Sequence, residues 1–473
     1  MTPKKIAAFA LGPLGGALLS FITLPIITWY FSQEDIGRLA MLTVVTSFST
    51  LLFSLGLDQA YVREFHEAKN RPALLKATLL PGLLLILIAL VVLLSLDNIV
   101  SIWLFEIDSQ LLSLLVASVI LTTFVSRFLS LILRMNEKGL MYSMSQILPK
   151  LLLIIIIGSY VFFSVDKNIT NLVLANVTAI ILVCLIYGWN TRSEWIVALK
   201  EKVDYIYLKK LLNFGLPLIL GGLAFWGLTA SDKILLRELS DFEQLGLYSV
   251  AVSFAAAATI FQSVFTTVWA PTVYKWAAAG EGLERIDKVS RYVLLVVILL
   301  FCLVGLFSWV LTFILPNNYN SVQWIVISCL GFPLLYTLSE TTVIGIGVTR
   351  RSGFAMLAAS LAFIINLLGN WWLIPSWGAA GAAVSTCASF WVFFILRTEF
   401  SMYLWKPIPR FAMYTYSSAL VGGAIINTLY GELFSIQLIV FWSVMLLSTF
   451  VFFKLEIVEI KKWLILKRNN PLN

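Results

Sequence analysis

Residues 293–315 read VLLVVILLFCLVGLFSWVLTFIL, an unbroken run without a single charge. Crossing roughly 30 Å of hydrocarbon takes about 20 helical residues, so this run reads as a membrane span. Stretches 83–96 and 151–163 have the same texture, and about fourteen such runs occupy almost the whole chain. Hydrophobic residues make up 60% of the 473, and the mean hydropathy is +0.93. A water-soluble fold of this length could not hide that much apolar surface. Backbone groups in lipid must be satisfied internally, so the runs read as helices. The expected fold class is all-α integral membrane. The spans read as 6–31, 36–61, 78–96, 110–133, 144–163, 169–190, 211–237, 243–273, 291–315, 321–346, 353–375, 378–397, 411–430 and 434–453.

Charge sets the topology. Only 12% of residues are charged, yet the net charge is +8. The even-numbered connections and both tails carry about 27 of the 33 Lys and Arg. The odd connections hold Arg38, Lys167 and Arg237; Arg127, Lys150 and Lys233 fall within spans. The positive-inside rule then places both termini in the cytoplasm, which agrees with an even number of spans. The basic excess also favours anionic lipid, so membrane lipids are expected partners. It is not a nucleic-acid footprint, since no basic stretch is long or interleaved with aromatics. Cys184, Cys302, Cys329 and Cys387 lie in spans without metal spacing and read as small buried hydrophobes. The first apolar run is long, carries Pro and Gly and lacks a small-residue cleavage site. It reads as a retained span rather than a signal peptide.

The second and eighth spans begin alike. Residues 31–40, FSQEDIGRLA, match 240–249, SDFEQLGLYS, and each acidic turn leads to a glycine, Gly37 or Gly246. The offset of about 205–210 residues covers six spans, an even number that leaves both copies in one orientation. The expected domains are a six-helix lobe at 1–190, an amphipathic cytoplasmic linker at 191–210, a second six-helix lobe at 211–400, and helices thirteen and fourteen with a basic tail at 401–473. Trp195, Ile196, Leu199, Val203 and Ile206 recur at helical spacing along the linker, as in a helix lying on a leaflet. Residues 455–467 have a similar mix. A solvated connection is the other reading for both.

Residues 366–383, NLLGNWWLIPSWGAAGAA, resemble the eleventh-to-twelfth helix signature of polysaccharide exporters of the MOP superfamily. Residues 231–236, SDKILL, and 243–251, EQLGLYSVA, resemble the seventh-to-eighth helix signature. Residues 55–63, LGLDQAYVR, resemble the end of the second helix. The resemblance covers the first twelve spans. It implies a Wzx-type flippase that moves undecaprenyl-pyrophosphate-linked oligosaccharide, the repeat unit of O-antigen, capsule or exopolysaccharide, across the bacterial inner membrane. Members of that type have twelve helices; fourteen is the count of lipid II flippases, which carry arginines in the first helix. This chain has none there, which points away from lipid II. By analogy with those relatives, the last helix pair is expected to form a groove for the lipid tail. A polymerase and glycosyltransferases of the same pathway are the implied partners.

A charge in mid-bilayer is costly, roughly 2.5–3.5 kcal/mol on insertion scales, so such groups usually face a watery cavity. Arg127, Lys150 and Lys233 are therefore candidates for holding a pyrophosphate, Arg by paired hydrogen bonds and Lys as a point charge. Each has a second reading, snorkelling to a membrane interface. Asn366 and Asn370, four apart on one helix face, are candidates for sugar hydroxyls or for ties between helices. Asp232, Glu340 and Asp58 are candidates for coupling transport to a proton or sodium gradient. Glu340 reads alternatively as a structural acid, and Asp58 as the partner of Arg63. No resident cofactor or metal is expected. The single His66, the missing P-loop and the short outer connections offer no catalytic constellation, so the chain is not expected to be an enzyme. The rival readings are a multidrug or cation antiporter of the same superfamily and a membrane glycosyltransferase or polymerase.

Overall fold

The computed structural model describes residues 3–279, 284–459 and 462. The described residues form twenty α-helices and two short 3₁₀ turns. They divide into two compact units, Met1–Ser249 and Val250–Asn473.

In the first unit, α1 is Pro3–Tyr30, α2 Gln33–Phe53, α3 Leu57–Glu64, α4 Arg71–Leu94, α5 Ile99–Phe105 and α6 Gln110–Met135. Then come α7 Gly139–Phe162, α8 Ile169–Asn190, α9 Arg192–Lys200, α10 Tyr205–Leu239 and α11 Phe242–Ala255, whose end passes into the second unit. Polar caps fix the starts. Ser32, Asn70, Ser109, Asn168 and Asp204 each accept a backbone N–H from the first turn of the helix that follows. Those N–H groups have no partner inside their own helix, so a side-chain acceptor just before an apolar run sets where it begins. The second span is interrupted: Leu55 (φ 52°) and Gly56 (φ 66°) turn left-handed and separate α2 from α3. A buried core in this unit joins α3, α4, α6, α8 and α10 through Tyr61, Phe65, Leu75, Leu129, Val183 and Leu211.

The two matched segments meet each other. A Cβ on Gly37 would collide with the carbonyl of Phe242, and a Cβ on Gly246 with the carbonyl of Gln33. The contact is reciprocal at one offset, since 242 − 33 and 246 − 37 both equal 209. That exchange is the pattern of a two-fold axis passing between like segments.

In the second unit, α12 is Ala258–Ala279, α13 Glu284–Phe307, α14 Leu311–Ile314, α15 Val322–Cys329, α16 Gly331–Thr342 and α17 Ile344–Val348. They are followed by α18 Ser352–Leu404, α19 Phe411–Tyr430 and α20 Ser435–Phe452. α18 is two helices joined at Gly378, whose backbone (φ 48°, ψ −125°) is not helical. Beyond α20, Glu456 and Glu459 pair with Arg291 and Lys288 of α13 at 2.5 and 2.6 Å. The rest of the expected 455–467 helix, apart from Lys462, lies outside the described residues from 460 onward.

Ten described helices are long and apolar enough to cross a membrane, or eleven if the bent pair α11 and α12 is one span. The expected fourteen is not reached by that measure, for identifiable reasons. The apolar part of α1 within the described residues is Leu14–Tyr30, too short to qualify. α18 counts once although Gly378 folds it into two. α19, with Asn427 and several Ser, Thr and Tyr, is less apolar than the others. The linker also differs from the expectation. α9 carries Trp195, Ile196 and Leu199, but the helix stops at Lys200, and Ile206 already belongs to α10.

Candidate functional site

The predicted intramembrane charges occupy separate places, each with its own environment. Asp58 sits in the first turn of α3, just past the left-handed turn. It accepts from Arg127 of α6 on one oxygen, at 2.8 Å from Nη2 and 3.3 Å from Nε. The expected Asp58–Arg63 pair does not form. Arg63 lies over the Phe214 ring, 4.3 Å from its centroid. Sequence neighbours on a short helix diverge, whereas α6 brings Arg127 alongside. The Arg127 side chain remains 41% exposed, so part of its donor fork faces outward from the pair.

Lys150 follows Pro149 within α7. Its ammonium donates to the Gly16 carbonyl of α1 at 2.7 Å and to the Ser20 hydroxyl. α1 can come this close because Gly12 lies against Ser143, where a Cβ would be 2.9 Å from its Cα. Both partners of Lys150 are neutral, so its charge is oriented without being cancelled.

On α10, Asp232 is buried and Lys233 half-buried. The two do not pair through their side chains. Asp232 accepts the Lys233 backbone N–H at 2.8 Å and the Tyr248 hydroxyl of α11. The Lys233 ammonium makes no hydrogen bond or ion pair among the described residues. The first unit thus carries three intramembrane cations, Arg127, Lys150 and Lys233, and two of the predicted acids, Asp58 and Asp232.

In the second unit, Glu340 of α16 meets Arg397 of α18 at 2.8 Å. Arg397 also donates to Ser339 Oγ at 2.6 Å and lies over the rings of Tyr336 and Phe393 at 5.3 and 5.0 Å. Trp269 Nε1 donates to the Glu340 carbonyl at 3.0 Å. The expected span 378–397 ends on Arg397, which counts with the basic connection that follows. The helix runs seven residues past it to Leu404, and the side chain is buried. Its signal in the sequence was a cation directly after an apolar run ending in Phe394, Ile395 and Leu396, which the counting of basic loops absorbed.

Asn366 and Asn370 are fully buried. Asn370 Nδ2 donates to Asn366 Oδ1 at 3.0 Å, and Asn366 Nδ2 to Thr386 Oγ1 at 3.1 Å. Ser385 Oγ donates to the Asn366 carbonyl at 3.0 Å. These bonds stitch the two halves of α18 across the Gly378 kink. The amides therefore present no surface to a ligand in this structure.

Residues 3–277, more than half of the chain, match the family described as polysaccharide biosynthesis protein. The chain belongs to the polysaccharide biosynthesis protein family. It is a multi-pass membrane protein with the helical fold of MOP-superfamily transporters. A probable low-salt glycan biosynthesis flippase, Agl15, of Haloferax volcanii is 21% identical over 205 residues. That alignment covers 42% of this chain and 43% of the relative, so the match spans less than half of the curated protein's length. Among solved structures, the lipid II flippase MurJ in an inward closed conformation shares the fold with a TM-score of 0.69 and 14% identity. The superposition covers 96% of this chain and 100% of that one. An inward-facing multidrug resistance MATE family transporter of the MOP superfamily superposes with a TM-score of 0.57 and 14% identity, over 85% and 95% of the two chains.

Proposed function

We propose that this family member is a flippase for a lipid-linked oligosaccharide, carried on undecaprenyl pyrophosphate, from the cytoplasmic to the outer leaflet of the bacterial inner membrane. The observation that carries the proposal is the pair of ammonium groups, Lys150 and Lys233, that no carboxylate compensates in the first unit. An uncompensated charge at bilayer depth is retained where a hydrated ligand path needs it. A doubly charged phosphate head is the ligand that such cations, with the exposed edge of Arg127, would hold by charge-assisted hydrogen bonds. The likeness to a glycan flippase and the shared fold with a lipid II flippase point to the same class of cargo. The reciprocal contact of Gly37 and Gly246 supports two parallel six-helix repeats, 1–190 and 211–400, a design suited to exposing one site alternately to each side.

Both termini are cytoplasmic in this scheme, by the placement of the basic connections. Any coupling to a proton or sodium gradient is assigned to Asp232, a buried carboxylate that accepts from the Tyr248 hydroxyl. Polymerase and glycosyltransferases of the pathway would act before and after the transfer. The test is intracellular build-up of lipid-linked oligosaccharide in Arg127→Ala, Lys150→Ala and Lys233→Ala cells. Flux should fall at least about tenfold in each lysine variant, the effect of losing one charge-assisted contact. Wild-type flux in all three variants would refute the proposal. Unchanged flux after both gradients are collapsed would remove the coupling role of Asp232.

A further inference from the structure

The first unit contains an apolar cavity of about 740 Å³ that takes no part in the proposed transport site. It is framed by α4, α6, α8 and α9 and lined by Leu79, Leu83, Val125, Leu185, Trp189 and Trp195. Along α4 it runs from Leu75 to Leu83, about 12 Å at 1.5 Å per residue. Two cations, Lys76 and Arg192, stand among its lining residues. Lys76 donates to the carbonyls of Leu199 and Glu201 at the end of α9, at 2.8 and 2.7 Å. Arg192 donates to the Trp189 carbonyl at 2.8 Å and lies over the Trp189 ring. Neither meets a carboxylate among the described residues, so both charges remain uncancelled. Around them, Leu185, Trp189, Ile196 and Leu199 expose their apolar surfaces.

We propose that this groove is a binding site for an anionic phospholipid of the leaflet bordered by α9. One acyl chain lies between α4 and α8, and the head-group phosphate sits at Arg192 and Lys76. The chemistry is complementary at both ends. Hydrocarbon covers the lining side chains, and phosphate accepts from a guanidinium and an ammonium that have only carbonyl partners. A short amphipathic helix with an apolar edge and basic residues borders the surface of a leaflet in this way. The flippase substrate is a poorer occupant, because its phosphates are required at Lys150 and Lys233 while these rim cations would compete for them.

The test uses the purified full-length chain in detergent with phosphatidylglycerol carrying a photoreactive acyl chain, and phosphatidylcholine carrying the same chain. Crosslinks should map to α4, α8 and α9. The anionic lipid should label about 25-fold more strongly at equal mole fraction, each of the two basic side chains near an anionic head contributing on the order of fivefold. Gly188→Leu should abolish labelling, because this groove glycine has open space where a side chain would project. Arg192→Gln, at an exposed position, should reduce the anionic preference severalfold while the fold persists. Equal labelling by the two lipids, or labelling unchanged in Gly188→Leu, would overturn the proposal. So would displacement by a polyprenyl phosphate more effective than by unlabelled phosphatidylglycerol, which would assign the groove to the substrate tail.

Discussion

Glu340 and Arg397 meet at 2.8 Å in the second unit and cancel, whereas in the first Lys150 bonds only to neutral groups and the Lys233 ammonium pairs with no carboxylate among the described residues. The contrast separates two uses of buried charge that look identical in a sequence. A closed pair, flanked by Ser339 and two aromatic rings, holds helices together and leaves little for a ligand. An open cation stores attraction for an anion that arrives later. The first arrangement should show its effect in stability and the second in transport. Several substitutions test whether that division holds.

Breaking the closed pair should have the largest effect. Arg397→Met leaves the half-buried Glu340 without its counter-charge, which costs up to about 3–5 kcal/mol. Adding Glu340→Gln should restore most of the lost stability, because removing both charges is far cheaper than stranding one. Thermal unfolding of the purified variants measures both. If the single and double variants melt together, the pair is not the tie that its geometry describes.

The contact between the two matched segments comes next. Gly37→Ala and Gly246→Ala each place a methyl against a backbone carbonyl of the other segment. The cost should be about 1–3 kcal/mol for each, and nearly equal if the two-fold relation is real. The double variant should cost less than the sum, since the first substitution already parts the segments. Unequal single effects would show that only one side of the contact is tight.

The open cations should behave in reverse. Lys233→Gln should leave the melting temperature within the spread of ordinary surface changes, about 0.5 kcal/mol. Its flux should nonetheless fall roughly tenfold. Lys150→Gln should cost more stability than Lys233→Gln, because Lys150 bonds to α1, with a similar loss of flux. A stability loss in Lys233→Gln as large as that of Arg397→Met would erase the distinction between the units.

What could be read from the chain follows this division. The span 169–190 coincides with α8, because apolar composition alone determines it. Breaks inside spans were not legible. The left-handed turn at Leu55 and Gly56, and the interruption between α11 and α12, occur within continuous apolar sequence. Helices also outrun their apolar runs: Lys209 and Lys210 are helical, and so is Arg397. Counting those residues as loop charges hid Arg397 as the partner of Glu340. Three-dimensional pairing was the weakest inference, as Asp58 shows by choosing Arg127 over the nearby Arg63. Sequence proximity predicts partners along one helix, and most intramembrane partners lie across two.

The amides across the Gly378 kink offer the smallest and finest test. Asn366 uses both ends of its side chain, toward Thr386 and Asn370, whereas the Asn370 oxygen is buried without a partner. Asn366→Leu should therefore cost about 1–3 kcal/mol, by stranding polar groups on both sides of the kink. Asn370→Leu should cost about 1 kcal/mol or less, because it removes one buried unsatisfied oxygen while it strands another. Flux per folded molecule should stay at the wild-type level in both. A fall in flux with stability intact would show that the kink opens and offers these amides to sugar hydroxyls. The second unit would then join the first in holding the ligand, and the contrast between them would narrow to the charges alone.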